Sequence, residues 1–164
     1  MDATDRACAT PTPGPTPRVG VGVLLCDAND RVLLTLRRRA PEAGCWSILG
    51  GKLEPFERLE ECAVREAREE AGVEVELLGL LCVTDHLLPQ EGQHWVAPAY
   101  LAKAYAGTVQ NSEPDKTSDV RWFSRDDLPQ NLTVTARNAL LAYARWRKMA
   151  GADAPPALGG LPRR

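Results

Sequence analysis

The stretch Gly51-Lys52-Leu53-Glu54-Pro55-Phe56-Glu57-Arg58-Leu59-Glu60-Glu61-Cys62-Ala63-Val64-Arg65-Glu66-Ala67-Arg68-Glu69-Glu70-Ala71-Gly72-Val73 decides the fold. Leu59, Ala63, Ala67 and Ala71 recur at helical spacing and predict one buried stripe on a helix spanning Leu59–Ala71. Gly72 is its natural stop, because glycine accepts the left-handed geometry of a C-terminal cap. Glu66, Glu69 and Glu70 crowd one side of the same helix. Like charges three and four residues apart repel by ~0.2–0.5 kcal/mol per pair. A hard divalent cation such as Mg²⁺ accounts for the crowding, since it takes carboxylate oxygens and leaves room for water and phosphate. The competing reading is a charged surface helix with satisfied salt bridges.

Working outward, Arg18–Cys26 reads as an apolar strand, Asp27-Ala28-Asn29-Asp30 as a turn, and Arg31–Arg38 as the returning strand of a hairpin. Gly20 and Gly22 do not open a dinucleotide-binding glycine pattern, because Leu25 stands where a third glycine is needed. They mark close backbone approach or a bulge instead. Residues 40–45 form a loop leading to Trp46 and the Gly50-Gly51 pair. Beyond the helix, Val73–Thr84 and His94–Tyr105 are strands joined by a polar loop, Asp85–Gln93, and Val120–Phe123 is a short strand. Thr133–Ala150 is a second helix, with Thr133 or Thr135 as its N-cap and Leu140, Leu141, Tyr143 and Trp146 available for packing. Mixed strands with a mid-chain and a C-terminal helix predict an α+β fold with both faces of the sheet covered.

The 164 residues suit one domain, with a folded part over 18–150. Residues 1–17 include Thr10-Pro11-Thr12-Pro13-Gly14-Pro15-Thr16-Pro17, which reads as a disordered proline-rich arm, and 151–164 as a flexible tail. The net charge of −2 and the lack of a long basic block argue against duplex nucleic acid as a partner. No apolar run approaches the ~18 residues that span a bilayer, and Asp2 and Asp5 do not suit a secretory signal. The five cysteines are scattered, with no CxxC pair, so neither zinc nor a disulfide framework is expected. That pattern suits a reducing, cytoplasmic setting. Cys62 reads as small packing rather than as a nucleophile.

Gly51, Glu57, Arg65, Glu66, Glu69, Glu70, Gly72 and Val73 fall on a spaced pattern. A glycine, five residues, a glutamate, seven residues, Arg-Glu, two residues, Glu-Glu, one residue, Gly and an aliphatic residue resembles the signature of the Nudix hydrolases. Ala67 is smaller than the usual aliphatic residue, and Leu49 stands where the family commonly has proline before Gly-Gly, a change expected to loosen that turn. The resemblance implies an αβα sandwich around a mixed β-sheet. It also implies hydrolysis of a nucleoside diphosphate linked to another moiety, with Mg²⁺ or Mn²⁺ as cofactor. A homodimer is a further expectation by family analogy.

Carried onto matching positions, the resemblance makes Glu66, Glu69 and Glu70 metal ligands, with Gly51 adding its carbonyl oxygen. Glu69 or Glu70 would deprotonate the attacking water, and Glu57 would assist beside the metal. Arg65 would orient a glutamate; its fork of donors suits a carboxylate, with an ordinary surface ion pair as the alternative. Lys52 is either a phosphate contact or a solvated lysine. Trp95 either stacks on a nucleobase or packs in the core. Glu113, then Asp119, is the candidate downstream acid, against a reading as loop charge. His86 is a candidate base or substrate contact, with an uninvolved loop histidine as the alternative. Arg37, Arg38 and Arg39 read as a solvated hairpin end that could instead rim the site, while Glu54, Glu60 and Glu61 are expected to face solvent. The leading expectation is a MutT-type pyrophosphohydrolase that converts a nucleoside triphosphate to the monophosphate and pyrophosphate. The rivals are an ADP-ribose or nucleotide-sugar pyrophosphatase and a non-catalytic nucleotide-sensing module.

Overall fold

The computed structural model describes residues 16–150. The tail, and all of the N-terminal arm but Thr16 and Pro17, lie outside the described residues. The elements in chain order are β1 (Arg18–Cys26), β2 (Val32–Arg37), β3 (Trp46–Ser47), β4 (Leu49–Lys52), α1 (Leu59–Ala71), β5 (Val73–Leu88), β6 (Gln93–Gly107), β7 (Thr117–Phe123) and α2 (Val134–Ala150).

The strands form one seven-stranded mixed sheet in the order β3-β2-β1-β6-β5, with β4 paired to β1 and β7 to β2. The β1–β6 pairing is parallel and the others are antiparallel. Along one edge β1 changes partner: Gly20–Val23 pair with β4, whereas Cys26 pairs with Val32 of β2. The sheet therefore splits between β2 and β4, and the candidate site lies at this split.

Each face of the sheet carries one helix and one core. On the first face Cys62, Ala63, Ala67 and Ala71 of α1 are fully buried against Val21, Val23, Leu25 and Val73. These small residues let α1 lie close to the sheet, which also explains alanine at position 67. On the second face Ala136, Ala139, Leu140 and Tyr143 of α2, spaced as one helical stripe, meet Leu24, Leu34, Trp46 and Leu101. The result is the αβα sandwich implied by the sequence. The ends of α1 follow from local chemistry. Glu61 accepts the Arg58 backbone N–H at 3.0 Å, and Gly72 adopts φ 69° while its N–H reaches the Arg68 carbonyl at 3.0 Å. Thr133 caps α2, its hydroxyl accepting the Ala136 N–H at 3.2 Å.

Three sequence expectations are corrected, at Asp85–Gln93, Leu49 and Leu141. Asp85–Gln93 is not a loop: β5 runs on to Leu88, a 3₁₀ turn covers Pro89–Glu91, and β6 begins at Gln93. Thr84 and His86 are buried while Asp85 and Leu87 are exposed, so the strand's two-residue period persists through polar residues. The segment around Gly50-Gly51 forms the short strands β3 and β4. Leu49 does not loosen a turn; it is fully buried, paired with Val23 at the start of β4. Leu141 points away from the core and is 52% exposed.

Candidate active site

Arg65 is the hub of the carboxylate cluster. Its guanidinium grips Glu57 through both oxygens, Nε–Oε1 at 2.7 Å and Nη2–Oε2 at 3.0 Å. Nη1 also reaches Glu66 Oε1 at 2.7 Å and Glu69 Oε2 at 3.0 Å, and Nη2 donates to the Lys52 carbonyl at 3.2 Å. The bidentate grip requires arginine's planar fork. These hydrogen bonds from Arg65 bring the Glu57 carboxyl down to about 2, and in turn raise Arg65 above its ordinary value.

Glu66 and Glu70 face inward. Glu66 is 8% exposed, and burial raises its carboxyl above the ordinary range, with Arg65 opposing. Glu70 accepts the Gly50 backbone N–H at 2.9 Å, yet burial pushes its carboxyl up to about 8, helped by the charges of Glu66 and Glu113. Gly51 is packed against Glu66: a Cβ there would lie 2.3 Å from Oε1. Beside the cluster, burial pushes the Cys62 thiol up to about 12, so Cys62 is a packing residue.

The donor set suits a hard cation: three carboxylates at α1, Glu66 buried and Glu70 partly buried, beside the backbone of β4. Among the described residues, no three His, Cys, Asp or Glu side chains converge on a common point as metal ligands would. In this conformation Arg65 supplies the positive charge. Glu66, Glu69, Glu70 and the Gly51 carbonyl remain the groups whose chemistry fits a divalent ion.

Two cavities adjoin at β4 and share Arg37, Ser47, Ile48 and Gly50–Lys52 in their walls. One, of about 410 Å³, is lined by Arg65, Glu66, Glu69 and Glu70 together with Arg39, Lys52 and Lys116. The other, of about 220 Å³, is lined by Val21, Ile48, Leu49, Ala97 and Trp95, with Glu42, His86, Thr133 and Thr135 joining the shared Arg37, Ser47 and Lys52 as polar groups. The Trp95 indole is half-buried, with the Arg18 guanidinium 5.4 Å from its ring centre.

The structure sorts the remaining candidates. Lys52 lines both cavities, Trp95 and His86 line the apolar one, and Arg37 and Arg39 border the site. Arg37 is half-buried, its Nε donating to the Pro41 carbonyl at 2.9 Å, whereas Arg38 and Arg39 are exposed. Glu113 lines neither cavity; it holds Lys116 Nζ at 2.6 Å, and Lys116 in turn faces the carboxylates. Asp119 is paired with Arg121 at 2.6 Å away from both cavities. Lys116 and Glu42 were not singled out in the sequence. Each reaches the site only through tertiary placement, and no local spacing signals it.

With this geometry in hand, the chain can be set beside known proteins. The NUDIX domain model matches residues 16–143, and the protein belongs to the Nudix family. The structure resembles a MutT NUDIX hydrolase from Burkholderia pseudomallei, with TM-score 0.74 and 47% identity, covering 77% of this chain and 98% of that one. It also resembles the E. coli ORF135 protein, with TM-score 0.67 and 26% identity, covering 84% and 95% of the two chains. Among curated proteins it is 30% identical over 147 residues to the NAD-capped RNA hydrolase NudC of Stutzerimonas stutzeri (strain A1501), covering 86% of this chain and 49% of that one. The corresponding protein of Pseudomonas entomophila (strain L48) is 35% identical over 113 residues, covering 65% and 37%. The chain thus spans about half the length, or less, of the curated relatives it matches. Among the described residues, no helix is long and apolar enough to cross a membrane.

Proposed function

We propose that this protein is a divalent-cation-dependent pyrophosphohydrolase that cleaves a nucleoside triphosphate to the monophosphate and pyrophosphate. The observation that carries this reading is the two-part cleft, a charged cavity joined across β4 to an apolar one containing Trp95. A phosphate chain suits the first half and a nucleoside the second. The family membership and the 47% identical MutT NUDIX hydrolase support the same class.

In this reading Glu66, Glu70 and the Gly51 carbonyl hold Mg²⁺ or Mn²⁺, with Glu69 beside them. When bound, the cation supplies Lewis acidity that neutralises phosphate charge and makes water more acidic. Glu69, the most exposed of the three glutamates at 48%, takes the proton of the attacking water. Arg65 fixes Glu57, Glu66 and Glu69 against one another, so that these carboxylates meet substrate already oriented. Lys52, Arg37, Arg39 and Lys116 pull on phosphate oxygens, and Trp95 stacks on the base.

A second reading is cleavage of a dinucleotide or another nucleoside diphosphate linked to a second moiety, as the curated relatives' NAD-capped substrate suggests. Product analysis separates the two. Purified protein with Mg²⁺ meets a panel of (d)NTPs, ADP-ribose, nucleotide sugars and NAD, and products are resolved by ion exchange. Monophosphate plus pyrophosphate from a triphosphate supports the first reading. Two monophosphates from NAD, or AMP plus ribose 5-phosphate, supports the second. No turnover on any of them supports a nucleotide-sensing role.

A further inference from the structure

Glu42 is a carboxylate held in an apolar cavity by contacts that have no part in phosphate chemistry. Its backbone adopts φ 57°, a left-handed conformation that costs a non-glycine residue roughly 1–2 kcal/mol. Its Oε1 accepts the Val134 N–H at 2.9 Å, at the start of α2, where the helix dipole favours negative charge. Its Oε2 lies 3.4 Å from Nε2 of His86, too long and ill-aligned for a good hydrogen bond. His86 is 7% exposed, and among the described residues its Nε2 has no hydrogen-bond partner. Both residues line the apolar cavity, and Trp95 stands opposite His86 across the β5–β6 pair. The Glu42 side chain is mostly covered, at 19% exposed, and Oε2 keeps lone pairs that an N–H of a ligand in the cavity can take in place of water.

We infer that Glu42 is a base-selecting residue of the cleft, its Oε2 accepting an N–H from the edge of the nucleobase that stacks on Trp95. His86, buried and 3.4 Å away, acts as a positioning residue by packing, restricting where Oε2 can sit. This assignment rests on the apolar cavity being the nucleoside half of the site. A carboxylate only accepts hydrogen bonds, so it favours base edges that offer an N–H at this point and disfavours those that offer a lone pair. A ribose hydroxyl is the other donor a nucleotide carries; it would satisfy Glu42 equally for every base.

The test is calorimetric titration of the full chain, with Mg²⁺, using AMP, GMP, CMP and UMP. Wild type should bind one base about tenfold more tightly than the poorest, and Glu42→Gln should narrow that spread to about threefold or less. Glutamine keeps an oxygen to cap α2, and a melting curve checks the fold. His86→Asn leaves the cap contact in place and should narrow the spread in the same direction, so it carries the test if Glu42→Gln does not fold. An unchanged spread in a folded variant, an equal loss for all four bases, or no preference in wild type would each overturn the inference. Turnover without base preference would leave the proposed function standing and remove Glu42 from it. Selective monophosphate binding that E42Q abolishes, without triphosphate turnover, would do the reverse.

Discussion

Gly51→Ala isolates the contribution of one carboxylate to the site. Gly51 lies in an ordinary strand conformation, so alanine introduces no backbone strain. Its Cβ would lie 2.3 Å from Glu66 Oε1 and 2.5 Å from Oε2, whereas ordinary contact begins near 3.4 Å. The Glu66 carboxylate must therefore retreat by about 1 Å. The obstacle is the end of a flexible side chain, so the cost in stability is about 1 kcal/mol, a drop of a few degrees in melting temperature. A displacement of 1 Å at a catalytic group costs roughly 10²-fold in rate, or about 2.7 kcal/mol of transition-state stabilisation. The assay is kcat/KM on the best substrate of the product panel at saturating Mg²⁺, alongside a melting curve. The neighbouring Gly50→Ala is the contrasting control: Gly50 has φ 146°, and a Cβ there would sit 2.1 Å from the Val21 carbonyl oxygen. That clash is with backbone and should cost on the order of 3 kcal/mol of stability. A folded Gly51→Ala protein within about threefold of wild-type kcat/KM would refute the placement of Glu66 at the reacting centre.

Three further outcomes are expected. The Glu70 carboxyl is raised from 4.5 to about 8, mainly by burial, so its folded form favours the proton. The stability it lends the metal-free protein is full below about pH 4.5 and lost as pH climbs through about 8; Glu70→Gln should flatten that decline in melting temperature and abolish Mg²⁺-dependent turnover, and an unflattened decline would reject this account. Arg65→Lys keeps the charge but loses the two-point grip on Glu57, so kcat should fall at least about tenfold with KM little changed; a raised KM with intact kcat would make Arg65 a substrate contact instead. Phe56 is fully exposed at φ 67°, where a non-glycine residue pays roughly 1–2 kcal/mol, so Phe56→Gly should raise the melting temperature by a few degrees after glycine's own entropy cost. A lower melting temperature would show that the exposed ring contributes to folding.

The parts of the fold that were legible are those set by local rules. The span of α1 follows from its alanine stripe and Gly72, and β1 from an unbroken apolar run, and both occupy the residues that the sequence indicates. The placement of Arg65, Glu66, Glu69 and Glu70 on one helix was also legible, because the span of α1 fixes it. Legibility ended where pairing partners decide. Asp85, His86 and Leu87 look like a loop in composition, but the β6 residues opposite them hold them in a strand. Trp46 and Ser47 are strand only because β2 lies alongside. Glu42 is invisible for the same reason: its role depends on the N-terminus of α2, 92 residues away.

The shared wall of the two cavities has a consequence for how such an enzyme can change. Gly50, Gly51 and Lys52 serve both halves of the cleft, whereas Glu42, His86 and Trp95 touch only the apolar half, and Glu66, Glu69 and Glu70 only the charged half. In the proposed reading, substitutions at Glu42, His86 or Trp95 would alter which nucleoside is admitted without disturbing the carboxylates, so selection could act on substrate choice and on chemistry almost independently. Gly50 and Gly51 are the exception. A side chain at either position is felt on both sides at once, at Gly50 through the Val21 backbone and at Gly51 through the Glu66 carboxylate, so at these two points the halves of the cleft cannot change separately.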